Sequence, residues 1–375
     1  MNRYAWGIKN TTTNVTWTSS VLSFNFTNGR QSYLDTYNAG ALTLTIKNQA
    51  NESAGFTFGD QIAVLNPAGV SVVMFYVVQV AYNDYPGNTG LSTATITCQD
   101  SFGLMGRLQM SDFSISAAVS TVQYSSTSSV PGKIALRPLQ QVSGLGGSSC
   151  SAGTYSGSVL NFWNLLNATE RGLMAASGAS TYFYAREGIA LQPVNPYTFG
   201  RTPTASVVAY SSFERINLGL DLMNQVQTQP AGLATQQATN AASVSTYGAN
   251  GFTVSTVDAN TTQALGLAQW LANTLSETDK QRFVVSFTDL AQSLSTVNFS
   301  TFLENITLKY QNSLTYRVPG AGSDTTVSVI VEGYNVSATP EQTTFTVYLS
   351  PLTYYQFFTL NSTTLGILDT SRLGW

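Results

Sequence analysis

The residue types that most often carry chemistry are scarce in this chain. It has no histidine among 375 residues. That removes imidazole general bases, Ser-His-Asp and Cys-His nucleophilic catalysis, and histidine-ligated metals. Cys98 and Cys150 are too few for a thiolate zinc site or a disulfide framework. Cys98 falls on the apolar phase of a strand and reads as a small buried hydrophobe, whereas Cys150 sits in a Ser/Gly-rich loop and implies a reducing site of synthesis. Gly132-Lys133 is followed by Ile134 and has no upstream glycine, so no phosphate loop is present. Gly144-Leu145-Gly146 has Ser149 where a dinucleotide fingerprint needs its third glycine. A Gly-x-Ser-x-Gly nucleophile turn is absent. The 19 acidic residues leave room for a carboxylate pair of the glycosidase type. Structure accounts for most of them, however: Asp60 and Glu304 open strands, Asp100 ends one, and Asp279 lies just past a helix. No catalytic, cofactor-binding or metal-ligating residue is assigned, and the chain reads as a non-enzyme without cofactor. Tyr182-Phe183-Tyr184 and Tyr354-Tyr355-Gln356-Phe357-Phe358 could stack on sugars, but packing in a core or a subunit interface is the preferred reading.

Composition points away from nucleic acid and membranes. Charged residues make up 9%, against about 25% in ordinary globular chains. Serine and threonine supply 90 of the 375 residues, so solubility rests on hydroxyls and amides. A net charge of −3 provides no basic face for phosphates. The opening Met1-Asn2-Arg3-Tyr4-Ala5-Trp6 lacks the apolar stretch of a signal peptide. The longest apolar run, Val70 to Ala81, is interrupted by Ser71 and Gln79, is too short to span a bilayer, and predicts a buried strand.

Two segments follow the same pattern, 41–100 and 282–351. Each opens on an alternating strand, with Leu42, Leu44 and Ile46 in one and Phe283, Val285 and Phe287 in the other. A short strand follows an acidic residue, Gly59-Asp60-Gln61-Ile62 or Glu304-Asn305-Ile306. Next comes a Val-rich strand ending in Tyr82-Asn83 or Tyr334-Asn335, then a last strand through Ala94, Ile96 and Cys98 or Phe345, Val347 and Leu349. Period-2 alternation means one buried and one wetter face. Strands are also expected at Trp17–Phe26, with a turn at Asn28-Gly29, and at Thr181–Tyr184, Ala205–Tyr210 and Arg215–Met223. Ser158 caps a helix expected over 159–176, and Asn260 or Thr261 caps a second whose apolar stripe is Ala264, Leu267, Ala268, Leu271 and Leu275. Fourteen serines fall between Ser111 and Ser158. The predicted architecture is mainly β with an α+β middle. It comprises a β-barrel at 1–110, a Ser/Gly-rich surface excursion at 111–158, an α+β region at 159–280, and a second β-barrel at 281–375 that can recruit strands from 205–255.

Three sets of short motifs recur in order along the chain. Toward its end stand Val331-Glu332-Gly333, Pro340, Leu349-Ser350-Pro351, Leu368-Asp369 and Arg372-Leu373-Gly374-Trp375. Near its opening stand Gly29-Arg30, Asp35, Ala39-Gly40, Leu44 to Asn48 and Gly59-Asp60. In the middle stand Asn224-Gln225-Val226, Ala242-Ser243, Tyr247-Gly248, Ala268 to Leu271 and Arg282. In their order and spacing these resemble the ending, opening and middle of the minor tail and tail-hub proteins of tailed bacteriophages. The resemblance implies two tail-tube-like barrels and a homotrimeric hub at the tail tip of a virion, made in the host cytoplasm. Its implied neighbours are the tail tube or a distal tail-protein ring, and a central fibre or tape-measure protein. Neither specific nucleic-acid binding nor a membrane span is implied. A receptor-binding tail protein that contacts glycans and a wall-polymer hydrolase are the alternatives. The segment 111–158 has no counterpart in the family pattern.

Overall fold

The computed structural model describes residues 6–355 except 18–19, 49–53, 67–68, 116–121, 125–139, 143–149, 178–179, 185, 190–193, 205, 218–221, 278–280, 289–310 and 321. The first repeat contains β1 (Gly7–Asn10), β2 (Val15–Trp17), β3 (Val21–Gly29), β4 (Ala41–Lys47), β5 (Gln61–Leu65), β6 (Ser71–Asn83) and β7 (Thr93–Gln99). It is followed by α1 (Ser101–Arg107), β8 (Gln109–Ile115), β9 (Val122–Tyr124), β10 (Gln140–Val142), β11 (Gly153–Ser158) and α2 (Val159–Glu170). A hairpin of β12 (Leu173–Ser177) and β13 (Ser180–Tyr184) leads to the short α3 (Arg186–Ile189). Then come β14 (Val194–Gly200), β15 (Val207–Ala209), β16 (Ser212–Asn217), β17 (Gln225–Pro230), β18 (Gln236–Thr239), α4 (Ala241–Tyr247), β19 (Gly251–Thr256) and α5 (Thr261–Thr274). The chain closes with β20 (Gln281–Thr288), β21 (Gln311–Arg317), β22 (Asp324–Ala338) and β23 (Thr343–Pro351).

The repeat seen in the amino-acid pattern is a repeat of topology. Hydrogen-bonded neighbours run β3-β4-β7-β6-β5-β1 in the first copy and β16-β20-β23-β22-β21-β14 in the second. Leu42 faces Cys98 as Phe283 faces Leu349, so the two alternating faces correspond residue for residue. Both long strands also carry a bulge at the same place, between Val77 and Gln79 in β6 and between Val331 and Gly333 in β22. Counted from that shared bulge, Val80, not Tyr82, is the counterpart of Tyr334, and the matching Tyr-Asn pairs are two residues out of register. One polarity differs, since β1 is antiparallel to β5 while β14 is parallel to β21. The short strand expected at Glu304-Asn305-Ile306 lies outside the described residues, and β21 occupies that place in the order.

Two separate closed barrels are not what is seen. β22 pairs with β21 through its first half and with β3 through its second, so both copies merge into one fourteen-stranded sheet. Among the described residues neither copy pairs its own outer strands to close a cylinder. Asn28-Gly29 is not a free turn: Gly29, at φ +80°, ends β3 directly against Glu332 and Gly333. Gly333 is tightly enclosed as well, because a Cβ there would lie 2.5 Å from the carbonyl oxygens of Asn28 and Arg30.

The helix predicted over 159–176 stops at Glu170. Arg171 takes the left-handed conformation at φ 50°, and Leu173 enters a strand paired with the expected 181–184 segment. Its cap is as read, with the Asn161 N–H donating to Ser158 Oγ at 3.2 Å, and Phe162, Trp163 and Leu166 are buried. They form a second hydrophobic cluster with Phe102, Met105, Met110, Cys150, Tyr155 and Met174. The ends of the Ser-rich segment therefore belong to the fold, since β8 pairs with β11 and Cys150 and Tyr155 are buried. The interior of that segment lies mostly outside the described residues. In the middle region, α5 starts where predicted, with Gln263 N–H donating to Asn260 Oδ1 at 2.9 Å, and buries Ala264, Leu267, Ala268 and Leu271. It packs on the three-stranded sheet β18-β17-β19. The second copy draws β14, β15 and β16 from 194–217 into its sheet.

Candidate functional site at the repeat junction

The junction forms because β22 is long enough to serve two neighbours, and because small residues let β3 approach it. At the bulge the Glu332 side chain is fully buried, an anionic group in an otherwise Val- and Ile-rich strand. An isolated buried carboxylate is costly, so it needs a cation and further donors. Arg30, just past β3, provides both. Its backbone N–H donates to Glu332 O at 2.9 Å and its Nε to Glu332 Oε2 at 2.8 Å. Tyr355 donates its hydroxyl proton to Glu332 Oε1. Arg30 Nη2 also donates to Gly172 O at 3.3 Å and to the Tyr355 hydroxyl at 3.1 Å, and Nη1 to Asp35 O at 3.4 Å. One guanidinium thus ties together the first copy, the second copy and the turn after α2.

Aromatic rings enclose this pair. The Arg30 guanidinium carbon lies 4.8 Å from the Tyr37 ring centre and 5.7 Å from that of Tyr33. Tyr33 packs on Tyr354, Tyr355 and Trp270, and Arg186 sits 4.4 Å over Trp270. Burial alone would lower the Arg30 pKa. The Glu332 carboxylate, with smaller contributions from Tyr37 and Tyr355, overrides it and holds the guanidinium above its ordinary value. Burial pushes the Tyr37 hydroxyl up to about 12, and that of Tyr355 well above its ordinary value. Arg171 moves the other way, lowered by burial.

Perturbed titratable groups often mark active sites. Here the geometry opposes that reading. Both carboxylate oxygens of Glu332 are engaged and its side chain has no exposed surface, so it cannot meet a substrate. The chemistry available to this cluster is cohesion. Elsewhere, among the described residues, no group of three or more His, Cys, Asp or Glu side chains could hold a metal. Burial raises the thiol pKa of both Cys98 and Cys150. Asp60 opens β5 and accepts from Asn10 Nδ2 at 3.0 Å and Thr57 N–H at 2.8 Å, a structural role. Tyr354 and Tyr355 are core residues, Phe183 is buried, and 356–358 lie outside the described residues.

Residue typing alone did not single out this junction. Yet two fragments of the tail-protein pattern, Gly29-Arg30 and Val331-Glu332-Gly333, are the segments that meet in it. The middle fragments meet too: Asn224 Nδ2 donates to Ser243 Oγ at 3.2 Å and to Gly248 O at 2.7 Å. The signal open to sequence reading was a glutamate inside a β-branched run that predicts a buried strand.

No family model matches the chain, and no curated protein matches it by sequence. Solved structures do match it. The 43 kDa tail protein of prophage MuSo2 from Shewanella oneidensis aligns over 94% of this chain and 98% of its own, at a TM-score of 0.52 and 10% identity. The tail protein from Neisseria meningitidis MC58 aligns over 93% and 96%, at a TM-score of 0.56 and 10% identity. At such identity the likeness is one of fold, and it extends end to end: this chain has the mainly β fold of phage tail proteins, as its scattered motifs implied.

Proposed function

We propose that the chain is a structural component of a phage tail tip, a homotrimeric hub joining the tail tube to distal tail proteins. The observation that carries this reading is the duplicated strand order locked into one sheet by the Arg30–Glu332 junction. A tube of sixfold symmetry must end on something that presents six similar docking surfaces. A trimer of a duplicated unit does so while keeping threefold symmetry. In this reading 1–110 and 281–375, with the strands recruited from 194–217, act as tube-like domains. The region 159–280 braces them, and 111–158 is an insertion. The tube or a distal ring, and a central fibre or tape-measure protein, are its neighbours. Sparse charge supports the reading, since 16 basic against 19 acidic residues give a channel no strongly basic lining to hold passing DNA. Work of this kind requires no catalysis.

Antibody labelling of intact particles tests the proposal. Gold at the tail tip is expected; gold on the capsid, along the whole tube, or nowhere on the particle overturns it. Clearing of a peptidoglycan or polysaccharide gel by the purified chain would favour the hydrolase alternative instead. Retention on a glycan array would favour the receptor-binding one.

A further inference from the structure

The two copies are equivalent in strand order but not in how their edges are covered. Within the chain, the outer edge of β3 pairs antiparallel with the second half of β22, Gly333 to Ala338. The counterpart of β3 is β16, and the counterpart of that half of β22 is β6 beyond its bulge. Among the described residues both counterparts lack that neighbour, and β16 pairs with β20 alone. β6 pairs with β5 as far as Tyr76, and backbone bonds from Val77 to Gly59 and Asp60 end that side. Beyond Val77 no described strand lies against that edge of β6.

Burial records the same difference. Gly333, Tyr334, Val336 and Ala338 are buried beneath β3, whereas Gln79, Ala81, Tyr82 and Asn83 are exposed, Tyr82 at 44%. The predicted buried strand over Val70 to Ala81 thus buries Val73, Phe75, Tyr76 and Val77 before its bulge and turns outward beyond it. An uncovered half-strand beside an uncovered edge strand is a template for strand addition.

We propose that β16 of one subunit adds to the distal half of β6 of the next, repeating between chains the β3–β22 junction made within each chain. The occupant is a second copy of this chain, and the inference rests on the self-association in the hub reading. Carrying the internal register across sets Val80 opposite Asn217, Ala81 opposite Ile216, Tyr82 opposite Arg215 and Asn83 opposite Glu214. The charges that ordinarily guard an edge strand then meet matched groups, Arg215 the ring of Tyr82 and Glu214 the amide of Asn83. The contact is heterologous, so repeated rotation closes a ring in which the two copies alternate.

Register also selects the test. Because Arg30 N–H bonds Glu332 O, residues 30 and 332 form a hydrogen-bonded pair and 27 with 335 a closer non-hydrogen-bonded one. Their counterparts are Ala81 with Ile216, and the next such pair is Asn83 with Glu214; Ala81, Asn83 and Glu214 are exposed and Ile216 is half-buried. At that spacing cysteines oxidise to disulfides, and the native Cys98 and Cys150 are buried. The full chain carrying A81C/I216C, or N83C/E214C in case the first pair fails to fold, is oxidised and run on non-reducing gels beside native mass spectrometry. We expect most of either double variant as a covalent trimer. The single variants and the out-of-register A81C/E214C should remain at monomer mass. A trimer by native mass without in-register cross-linking, or equal cross-linking of A81C/E214C, overturns the strand pairing and leaves the hub reading standing. A chain that stays monomeric at every concentration overturns the pairing as well, while gold at the tail tip decides the hub reading separately.

Discussion

At the scale of single residues, cohesion is concentrated in a few buried polar groups. Glu332 and Arg30 are completely sequestered, so removing one partner strands the other charge. Breaking such a pair costs about 3–5 kcal/mol, whereas replacing both members by apolar groups is often neutral. Glu332→Ala should therefore lose that much in urea unfolding, and Arg30→Met with Glu332→Leu should recover more than half of the loss. A double variant as damaged as the single one would mean that the geometry of the junction, not its charge, is what matters. Asp100 acts through pH. It caps α1 by accepting from Gly103 N–H at 3.2 Å, yet burial, against hydrogen bonds from Gly103, Gly40 and Phe102, raises its pKa to about 7. A carboxyl raised on folding is most stabilising when protonated, so its contribution is complete below the unfolded value near 4 and is lost as pH rises through 7. Wild type should lose stability between about pH 4 and pH 7 relative to Asp100→Asn, which keeps the capping oxygen. The loss should be on the order of a few kcal/mol. Asp258, raised by burial to about 6, keeps some slope in the variant. Parallel melting curves across that range would remove Asp100 from the account. Sequence marked Asp100 as a strand end, which it is, but not Arg30 or Glu332 as partners, because pairing across 302 positions leaves no local spacing to read.

At the scale of elements, alternation was the legible signal. The phases of β4, β7, β20 and β23 are as predicted, and Leu42, Leu44, Phe283, Val285, Val347 and Leu349 are all buried. Val347→Asp or Leu349→Asp should consequently prevent soluble folding and incorporation into particles, since an unpaired buried carboxylate costs several kcal/mol. Normal particles with either variant would refute the assignment of that face. Bulges were not legible, because an extra residue shifts the register without changing composition. Register set by partners on β7 and β23 was not legible either: the two Tyr-Asn pairs, alike in the amino-acid pattern, lie two residues apart in the structure. Nor was the end of α2, where a left-handed arginine rather than the usual glycine stops the helix. The Ser-rich segment divides by element as well. Replacing all of 111–158 with a Gly-Ser linker removes β11, Cys150 and Tyr155 from the second cluster and should abolish soluble expression. Replacing 125–139 alone should shift Tm by only a few degrees. Equal tolerance of both would show that β8 and β11 contribute nothing to the core.

At the scale of the whole molecule, composition and topology point to the same kind of association. Only 9% of residues are charged, and the exposed ion pair of Arg201 with Asp324, at 3.2 Å, lies within one chain. In the proposed pairing the edges offer backbone donors and acceptors, and Val80, Ala81 and Tyr82 would face Asn217, Ile216 and Arg215. Contacts of that type depend on hydrogen bonding and apolar burial, which salt screens little. Exposed ion pairs more than a Debye length apart, about 10 Å at 0.1 M, are by contrast strongly screened. The self-associated form should therefore persist unchanged in sedimentation velocity from low salt to molar sodium chloride, and 1 M salt should not release the chain from tails. It should dissociate instead when the strand edge is blocked, as by Tyr82→Pro, which removes a backbone donor that points away from β7 and forces its own φ on an edge that must accept a neighbour. Ala81 and Asn83, whose N–H groups face Thr95 and Thr93, keep their pairing with β7 in that variant. The monomer should accordingly retain the wild-type β-sheet circular dichroism while losing the trimer peak. Dissociation by salt, or a trimer untouched by the proline, would place the assembly energy in charge pairs or in some other surface.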